Sequence, residues 1–382
     1  MRVMKWAGIK SQTKMSKLKI AVIGLRMYPA SYPGVGGNEV RGEVIVNHLL
    51  KKNQVTVYTR QWVLEKQKIS AKNLLVIPIF TINNKFLDTF LYSFFASVKE
   101  AFSINSIIFY EGTGSSFFSF IPKLFGKKII TTFHALEWQR KKWPFLAKAY
   151  LKISEVISCQ LSDLIIVVTN DMADYVKQNY HKPALVIPYF FEKKQLIKGK
   201  YIRKLGLKKD NYLLFLGRIV PEKRVEWLIK AYQELKIAKK LVIAGGKLHD
   251  TAYFLKIKKL IQKNKNIIFT DYVFDQDKEE LLANCSLLVL PSEVEGYALV
   301  VMEALAYSRK ILVPNLPVYQ QIFHKINLFK SDSYSDFKKS LINVLENKNK
   351  SQYELLYKKV FPKQTFFNTY DDLLINFSNK SK

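Results

Sequence analysis

The chain has 382 residues, 48% hydrophobic and 14% aromatic, with a formal net charge of +30. It is longer than the roughly 250–300 residues at which a single core stops growing, so two domains are expected. No stretch reaches the ~18 uninterrupted apolar residues of a membrane span. Two distant cysteines, Cys159 and Cys285, and five scattered histidines exclude a disulfide framework and a protein-bound structural metal. The charge excess attracts polyanions, whether nucleic acid, an anionic bilayer or a phosphorylated substrate. A general Lys-rich bias explains it equally well, and charge by itself does not choose.

The first 17 residues, "MRVMKWAGIKSQTKMSK", lack the apolar core of a signal peptide and read as a basic leader, with Met15 as an alternative start. A cytoplasmic protein is therefore expected. From residue 18 to 191, apolar β-branched runs alternate with helical patterns. Strands are predicted at Lys19–Leu25, Gln54–Thr59, Leu74–Ile79, Ser106–Tyr110, Lys128–Phe133, Leu164–Thr169 and Ala184–Pro188. Helices are predicted at Asn38–Lys51, Phe86–Phe102, Trp143–Leu161 and Asp171–Tyr180. Residues 192–211, basic and without a clear period, read as a linker.

The alternation restarts over residues 212–360. Strands are predicted at Tyr212–Leu216, Lys240–Ala244, Asn266–Thr270, Ser286–Leu290 and Lys310–Val313, and helices at Val225–Leu235, Asp277–Ala283 and Ala298–Tyr307. Continuously apolar strands separated by helices imply parallel sheets covered on both faces. The expected architecture is α/β: two facing, doubly wound, Rossmann-like domains. Ligands of such sheets bind beyond the carboxyl ends of strands, which directs the search to the loops there.

Four loops carry candidate chemistry. "GVGGNEV", Gly34 to Val40, lies between the first strand and its helix; its glycines allow close backbone approach and offer N–H groups to an anion. It is not a GxGxxG fingerprint, since Glu39 occupies the third glycine's place, and no GxxxxGK[S/T] loop occurs. His134 closes the strand Lys128–Phe133 and is either a structural histidine or a ligand contact. In "LGRIVPEKRVEWL", Arg218 and Lys223 bracket a Pro-containing turn and can converge on a diphosphate, the alternative being a solvated basic turn.

The fourth loop is "PSEVEGYALVVMEALA", in which Glu295 precedes a nearly all-apolar helix and Glu303 sits inside it. A carboxylate in an apolar run needs a partner, because burying it unpaired costs several kcal/mol. Two readings stand at this point. Glu303 can accept two hydrogen bonds from a vicinal diol such as a ribose, or it forms a structural ion pair, with Arg309 the candidate partner. The acidic "DQD" at Asp275–Asp277 sits where a helix N-cap is expected and is read as a cap, not a metal site.

In this order, "GRIVPEK", "LVIAGG" and "PSEVEGYALVVMEALA" resemble the C-terminal domain of glycosyltransferase family 4, whose members are retaining enzymes of GT-B fold. The N-terminal pieces "IGLRMYPASYPGVGGNE", "VTVYTR" and "HALEWQRKKWPFLAKAYLKISE" are similar to a rhamnosyltransferase-like subgroup. Over residues 361–382, "TFFNTYDDLLINF" resembles the family's terminal helix crossing back to the first domain.

Carried over, the resemblance implies that Glu303 holds the ribose of a nucleotide-diphosphate sugar and that Glu295 contacts the sugar or its phosphate edge. Tyr297, Ala298 and Leu299 would supply backbone N–H groups. Arg218 and Lys223 would neutralise the leaving diphosphate, Gly36 and Gly37 would cap it from the other domain, and His134 would touch the transferring sugar. Gly245 and Gly246 would lie beside the nucleotide. No cofactor or metal is implied beyond the donor itself, and no protein nucleophile. Three departures bear on donor choice: Ala298 replaces a usual glycine, Arg224 replaces the glycine after Lys223, and "AYSRK" follows the helix.

The acceptor is expected to be a saccharide or a lipid-linked saccharide. "WQRKKWPFLAKAYLK", Trp138 to Lys152, mixes aromatics and cations as a segment on an anionic membrane does, though the same pattern suits a helix with its aromatics in the core. Rival readings are a GT-B enzyme of other chemistry, such as an epimerase, and a basic nucleic-acid-binding protein. No nucleic-acid partner is expected.

Overall fold

The computed structural model describes residues 17–30, 37–64, 72–82, 84, 87–139, 143–189, 199–247, 251–262, 264–295, 299–323, 327–347, 351–360 and 363–379. The chain divides into two compact units. The first comprises Met1–Tyr189 and Gln364–Lys382, the second Phe190–Lys363.

The first unit holds seven strands: β1 (Lys19–Ile23), β2 (Gln54–Arg60), β3 (Leu74–Ile79), β4 (Ile107–Glu111), β5 (Lys128–Phe133), β6 (Leu164–Val167) and β7 (Ala184–Val186). They form one sheet in the order β3-β2-β1-β4-β5-β6-β7, parallel at every pairing. The central strands are apolar along their whole length because the sheet has no wet face: every residue of β4 is buried, as are all but the first of β1, β2 and β5.

The second unit repeats the plan. Its strands are β8 (Tyr212–Leu216), β9 (Lys240–Ala244), β10 (Ile267–Asp271), β11 (Leu287–Val289), β12 (Lys310–Pro314) and β13 (Leu328–Phe329). The order is β10-β9-β8-β11-β12-β13, again all parallel. In each sheet the strand order reverses beside the first strand of the unit, between β1 and β4 and between β8 and β11. The crevice beyond their carboxyl ends is where such sheets take ligands.

Both units are therefore doubly wound Rossmann-like domains, as expected. Helices Thr251–Gln262, Pro317–Phe323, Tyr334–Glu346 and Ser351–Val360 and the short strand β13 were not anticipated. Of the stretch set down as a linker, Lys200–Lys204 is helical, and Ile202 and Leu207 are buried in the second unit's core. The helix Lys363–Asn379 returns to the first unit. There His48 stacks on Phe367 at 4.5 Å and bonds Asp371 at 2.9 Å, and Lys52 reaches the other Asp371 oxygen at 2.8 Å.

Candidate functional site

In the second unit three loops at strand carboxyl ends are stitched together by backbone hydrogen bonds. Gly217 N–H donates to Ala244 O, Ile219 N–H to Gly246 O and Gly245 N–H to Asp271 O, at 2.9–3.2 Å. The glycines are required by this packing. A Cβ on Gly245 would stand 1.8 Å from the Gly217 carbonyl oxygen, and one on Gly246 would stand 2.3 Å from the Tyr272 ring. Arg218, half-buried, follows directly on this seam. Its guanidinium forms no ion pair or hydrogen bond among the described residues; burial raises the phenol of nearby Tyr272 above its usual range, and the Arg218 charge offsets part of that.

Lys223 is not free in the same way. Its Nζ donates to Glu295 Oε1 at 2.5 Å, with both side chains largely buried. The two expected contact residues thus meet, and they neutralise one another. Arg224, at φ 45°, turns the chain into the helix Val225–Glu234; its guanidinium lies 4.7 Å over the Trp227 ring and bonds Ser331 O. Behind Glu295, Ser292 Oγ is buried with no partner among the described residues.

Glu303 lies within the helix Leu299–Ala306 and is 2% exposed. Its carboxylate is satisfied by Lys278, whose Nζ donates to Oε1 at 2.7 Å. Arg309, the partner suggested by nearness in sequence, goes elsewhere, to Asp210 at 2.5 Å and to the Cys285 carbonyl. Lys278 reaches Glu303 because its own helix, Asp275–Asn284, packs beside Leu299–Ala306. Oε2 of Glu303 accepts no hydrogen bond among the described residues, so a ligand hydroxyl can bind it without breaking the ion pair.

Asp275–Asp277 opens the helix Asp275–Asn284, but Phe274 is at its N-cap and no side chain caps it. The cap expectation is corrected: both carboxylates sit in the first turn, where the helix dipole favours negative charge. Among the described residues no three of His, Cys, Asp and Glu come together as a metal site needs.

In the first unit, Gly37 begins the helix Gly37–Leu49, while Gly36 lies outside the described residues, as do Tyr297 and Ala298 of the second. Leu299 is the first residue of its helix. His134 follows β5 and is 6% exposed. Its Nδ1 is 2.9 Å from the Tyr189 hydroxyl, which also lies 2.8 Å from Asn38 Oδ1. Its Nε2 stands 3.0 Å from Glu111 Oε2, without the alignment of a hydrogen bond.

Glu111, at the end of β4, is the hub. It accepts from Arg41 Nη1 at 3.1 Å and from Thr132 Oγ1 at 3.2 Å, and Arg41 Nη2 donates to the Tyr370 hydroxyl at 2.7 Å. Burial alone would raise the Glu111 carboxyl; the Arg41 guanidinium, then His134 and Thr132, bring it below the usual range instead. Sequence reasoning found His134 and missed Glu111, Arg41, Tyr189 and Tyr370. The available signal was a charge closing a wholly apolar strand, "IIFYE".

The segment 138–152 divides. Trp138 Nε1 and Lys152 Nζ both bond Glu155, and the ammonium lies 4.7 Å over the Trp138 ring, so these two serve the domain's own packing. Phe145 and Leu146 remain about four-fifths exposed. No helix among the described residues is long and apolar enough to cross a membrane.

The fold defined by these two sheets and the returning helix is GT-B. A solved sucrose-phosphate synthase from Thermosynechococcus elongatus superposes with a TM-score of 0.79 at 16% identity, covering 94% of this chain and 99% of that one. Residues 198–356 match the family model for glycosyl transferases group 1, and residues 112–190 match a domain of unknown function, DUF1972. Among curated relatives, the uncharacterized glycosyltransferase YqgM of Bacillus subtilis is 25% identical over 58% of this chain and 62% of its own length. The N-acetylgalactosamine-N,N'-diacetylbacillosaminyl-diphospho-undecaprenol 4-alpha-N-acetylgalactosaminyltransferase of Campylobacter jejuni is 37% identical over 26% of this chain and 27% of its own length.

Proposed function

We propose that the protein is a retaining glycosyltransferase of family 4 that moves a sugar from a nucleotide diphosphate to a saccharide or lipid-linked saccharide in glycan synthesis. The observation that carries this is the buried carboxylate of Glu303, held by Lys278 through one oxygen only, on a unit that also carries Arg218, a guanidinium without an ion pair among the described residues. Both lie in the stretch that matches glycosyl transferases group 1. Sugar transfer needs charge stabilisation of a departing diphosphate, which Arg218 supplies, with Lys223 joining as Glu295 turns toward the sugar. Glu303 holds the ribose, and His134, steadied by Glu111 and Tyr189, contacts the sugar. No protein nucleophile and no metal is assigned.

The diphospho-undecaprenol in the name of the Campylobacter relative supports a lipid-linked acceptor, and with it a reaction at the cytoplasmic face of a membrane is part of this reading. The rhamnosyltransferase-like pieces of the first unit favour a deoxythymidine-linked donor, with uridine and guanosine the alternatives. The test is thermal-shift screening against nucleoside diphosphates and their sugars. A ligand at 100 times its dissociation constant stabilises by about 2.7 kcal/mol, so one base should raise the melting temperature by a few degrees. Glu303→Ala, folded, should lose that rise. No shift with any nucleotide in the parent would remove the donor site from the reading.

A further inference from the structure

We propose that the outer face of three neighbouring elements of the first unit docks onto an anionic lipid bilayer. The elements are the helix Leu87–Ala101, the run Thr113–Leu124 and the helix Phe145–Leu161. Helices of a water-soluble domain bury an apolar stripe and expose polar residues; these two bury polar groups alongside small apolar ones such as Ala96, Ala101 and Cys159 and leave large apolar side chains exposed. On Leu87–Ala101 the buried side carries Tyr92, Ser93, Ser97 and Glu100, while Leu87, Phe90, Phe94 and Phe95 are exposed. On Phe145–Leu161, Ser154, Glu155 and Ser158 are buried, while Phe145, Leu146, Ile153 and Val156 are exposed.

The buried polar groups fix the orientation of the first helix. Tyr92 O–H donates to Tyr58 O at 2.8 Å, Ser97 Oγ meets the Tyr110 hydroxyl at 2.8 Å, and Glu100 accepts from Tyr58, Ser103 and Asn105. Rotating the helix to hide its phenylalanines would leave these buried polar groups without partners. Between the helices, Phe120, Leu124 and Phe125 add to the same face, Leu124 at 82% exposure. The aromatic rings are continuous across the elements: Phe118 lies 5.1 Å from both Phe90 and Phe94, and Phe117 stacks on Tyr150 at 4.9 Å.

Charge selects the occupant. Lys99, one turn beyond Phe95, and Lys148, one turn beyond Phe145, form no ion pair among the described residues. The carboxylates of these elements and their ends are all engaged: Asp88 with Arg60 at 3.1 Å, Glu155 with Lys152 at 2.8 Å, Asp163 with Lys123 at 2.6 Å, and Glu100 in the core. Phenylalanine and leucine flanked by uncompensated lysines, on a chain of net charge +30, match an interface of acyl chains beneath anionic headgroups. The inference does not rest on the glycosyl-transfer reading, and the two fail separately.

The test is co-sedimentation of the full chain with sucrose-loaded vesicles of phosphatidylcholine, with and without one quarter phosphatidylglycerol, at about 50 and 500 mM salt, across which screening shortens the reach of charge several-fold. The parent should bind the anionic vesicles at least tenfold better than the neutral ones at low salt and lose most of that preference at high salt. A Phe94→Ser, Phe95→Ser, Leu124→Ser variant should bind at least tenfold more weakly. A Lys99→Gln, Lys148→Gln variant should lose part of the salt-sensitive preference. Both should keep the parent's melting temperature and nucleotide response, since Phe94, Phe95, Leu124 and Lys99 are exposed and Lys148 is only half-buried, with no ion pair among the described residues. Equal vesicle binding by parent and triple variant, or no binding by the parent, overturns the proposal. So does a parent dimer in sedimentation velocity that the triple variant dissolves, because the face would then join two copies of the chain.

Discussion

Lys278 and Glu303 form an ion pair in which the lysine keeps more contact with water, its side chain 23% exposed against 3% for the glutamate. Removing one partner of a fully buried pair costs 3–5 kcal/mol; partial exposure reduces this, and Lys278→Met is expected to cost about 2 kcal/mol in urea unfolding. A Lys278→Met, Glu303→Gln double variant should recover about half of that, because the stranded charge is gone. If Lys278→Met unfolds like the parent, the pair is not what satisfies Glu303. Lys223 and Glu295 give a second residue-scale test. Arg218→Ala is expected to lower turnover by at least about 100-fold, the loss typical of removing one preorganised donor to a developing charge. Glu295→Gln should tighten binding of the bare nucleoside diphosphate while lowering turnover, since it frees Lys223 but takes away the carboxylate proposed to meet the sugar. Calorimetric titration of the diphosphate and a steady-state assay separate the two effects.

At the scale of elements, the helix Lys363–Asn379 is held to the first unit by a few side chains. Asp371 is the most pH-sensitive of them. Burial would raise its carboxyl, but the hydrogen bonds from Lys52 and His48 bring it below its ordinary value. The folded state therefore prefers the carboxylate, so its stabilisation is complete above the ordinary aspartate range and is lost as the pH falls through that range to the lowered value. Melting temperature followed from pH 7 to pH 3 should fall further in the parent than in Asp371→Asn, with the two converging at the acid end. Parallel curves would dismiss Asp371 as an anchor. Because the pair is partly exposed, the difference at pH 7 is expected to be below about 1 kcal/mol.

Across the whole molecule, the strands were the most legible part. Leu74–Ile79, Lys128–Phe133, Tyr212–Leu216 and Lys240–Ala244 have the bounds the sequence predicts; the last three are buried on both faces and so are mainly apolar, while Leu74–Ile79 is an edge strand with Leu75 exposed. The helix Thr251–Gln262 escaped notice although Tyr253, Phe254, Ile257 and Ile261 form its buried stripe; the lysines between them hid the period. β13 is two residues long and leaves no pattern. Of the candidate residues, His134 and Arg218 follow strands and Lys223, Glu295 and Glu303 lie in the turns and helix beyond strands, as the order of elements in the sequence predicts. Their partners were not legible: Lys278 is 25 residues from Glu303 and Glu295 is 72 from Lys223, and neither distance is written in any local period.

The return of the last helix carries a consequence for the order in which the protein is made. Tyr370 completes the Arg41–Glu111 centre beside His134, yet it leaves the ribosome 329 residues after Arg41. At about 5–20 residues per second, the nascent first unit waits on the order of ten seconds or more after Tyr189 for its missing side chain. Through that wait the second unit, an insertion in topological terms, is being made, and its last residue, Lys363, precedes Tyr370 closely. The N-terminal half is first to emerge and last to be finished.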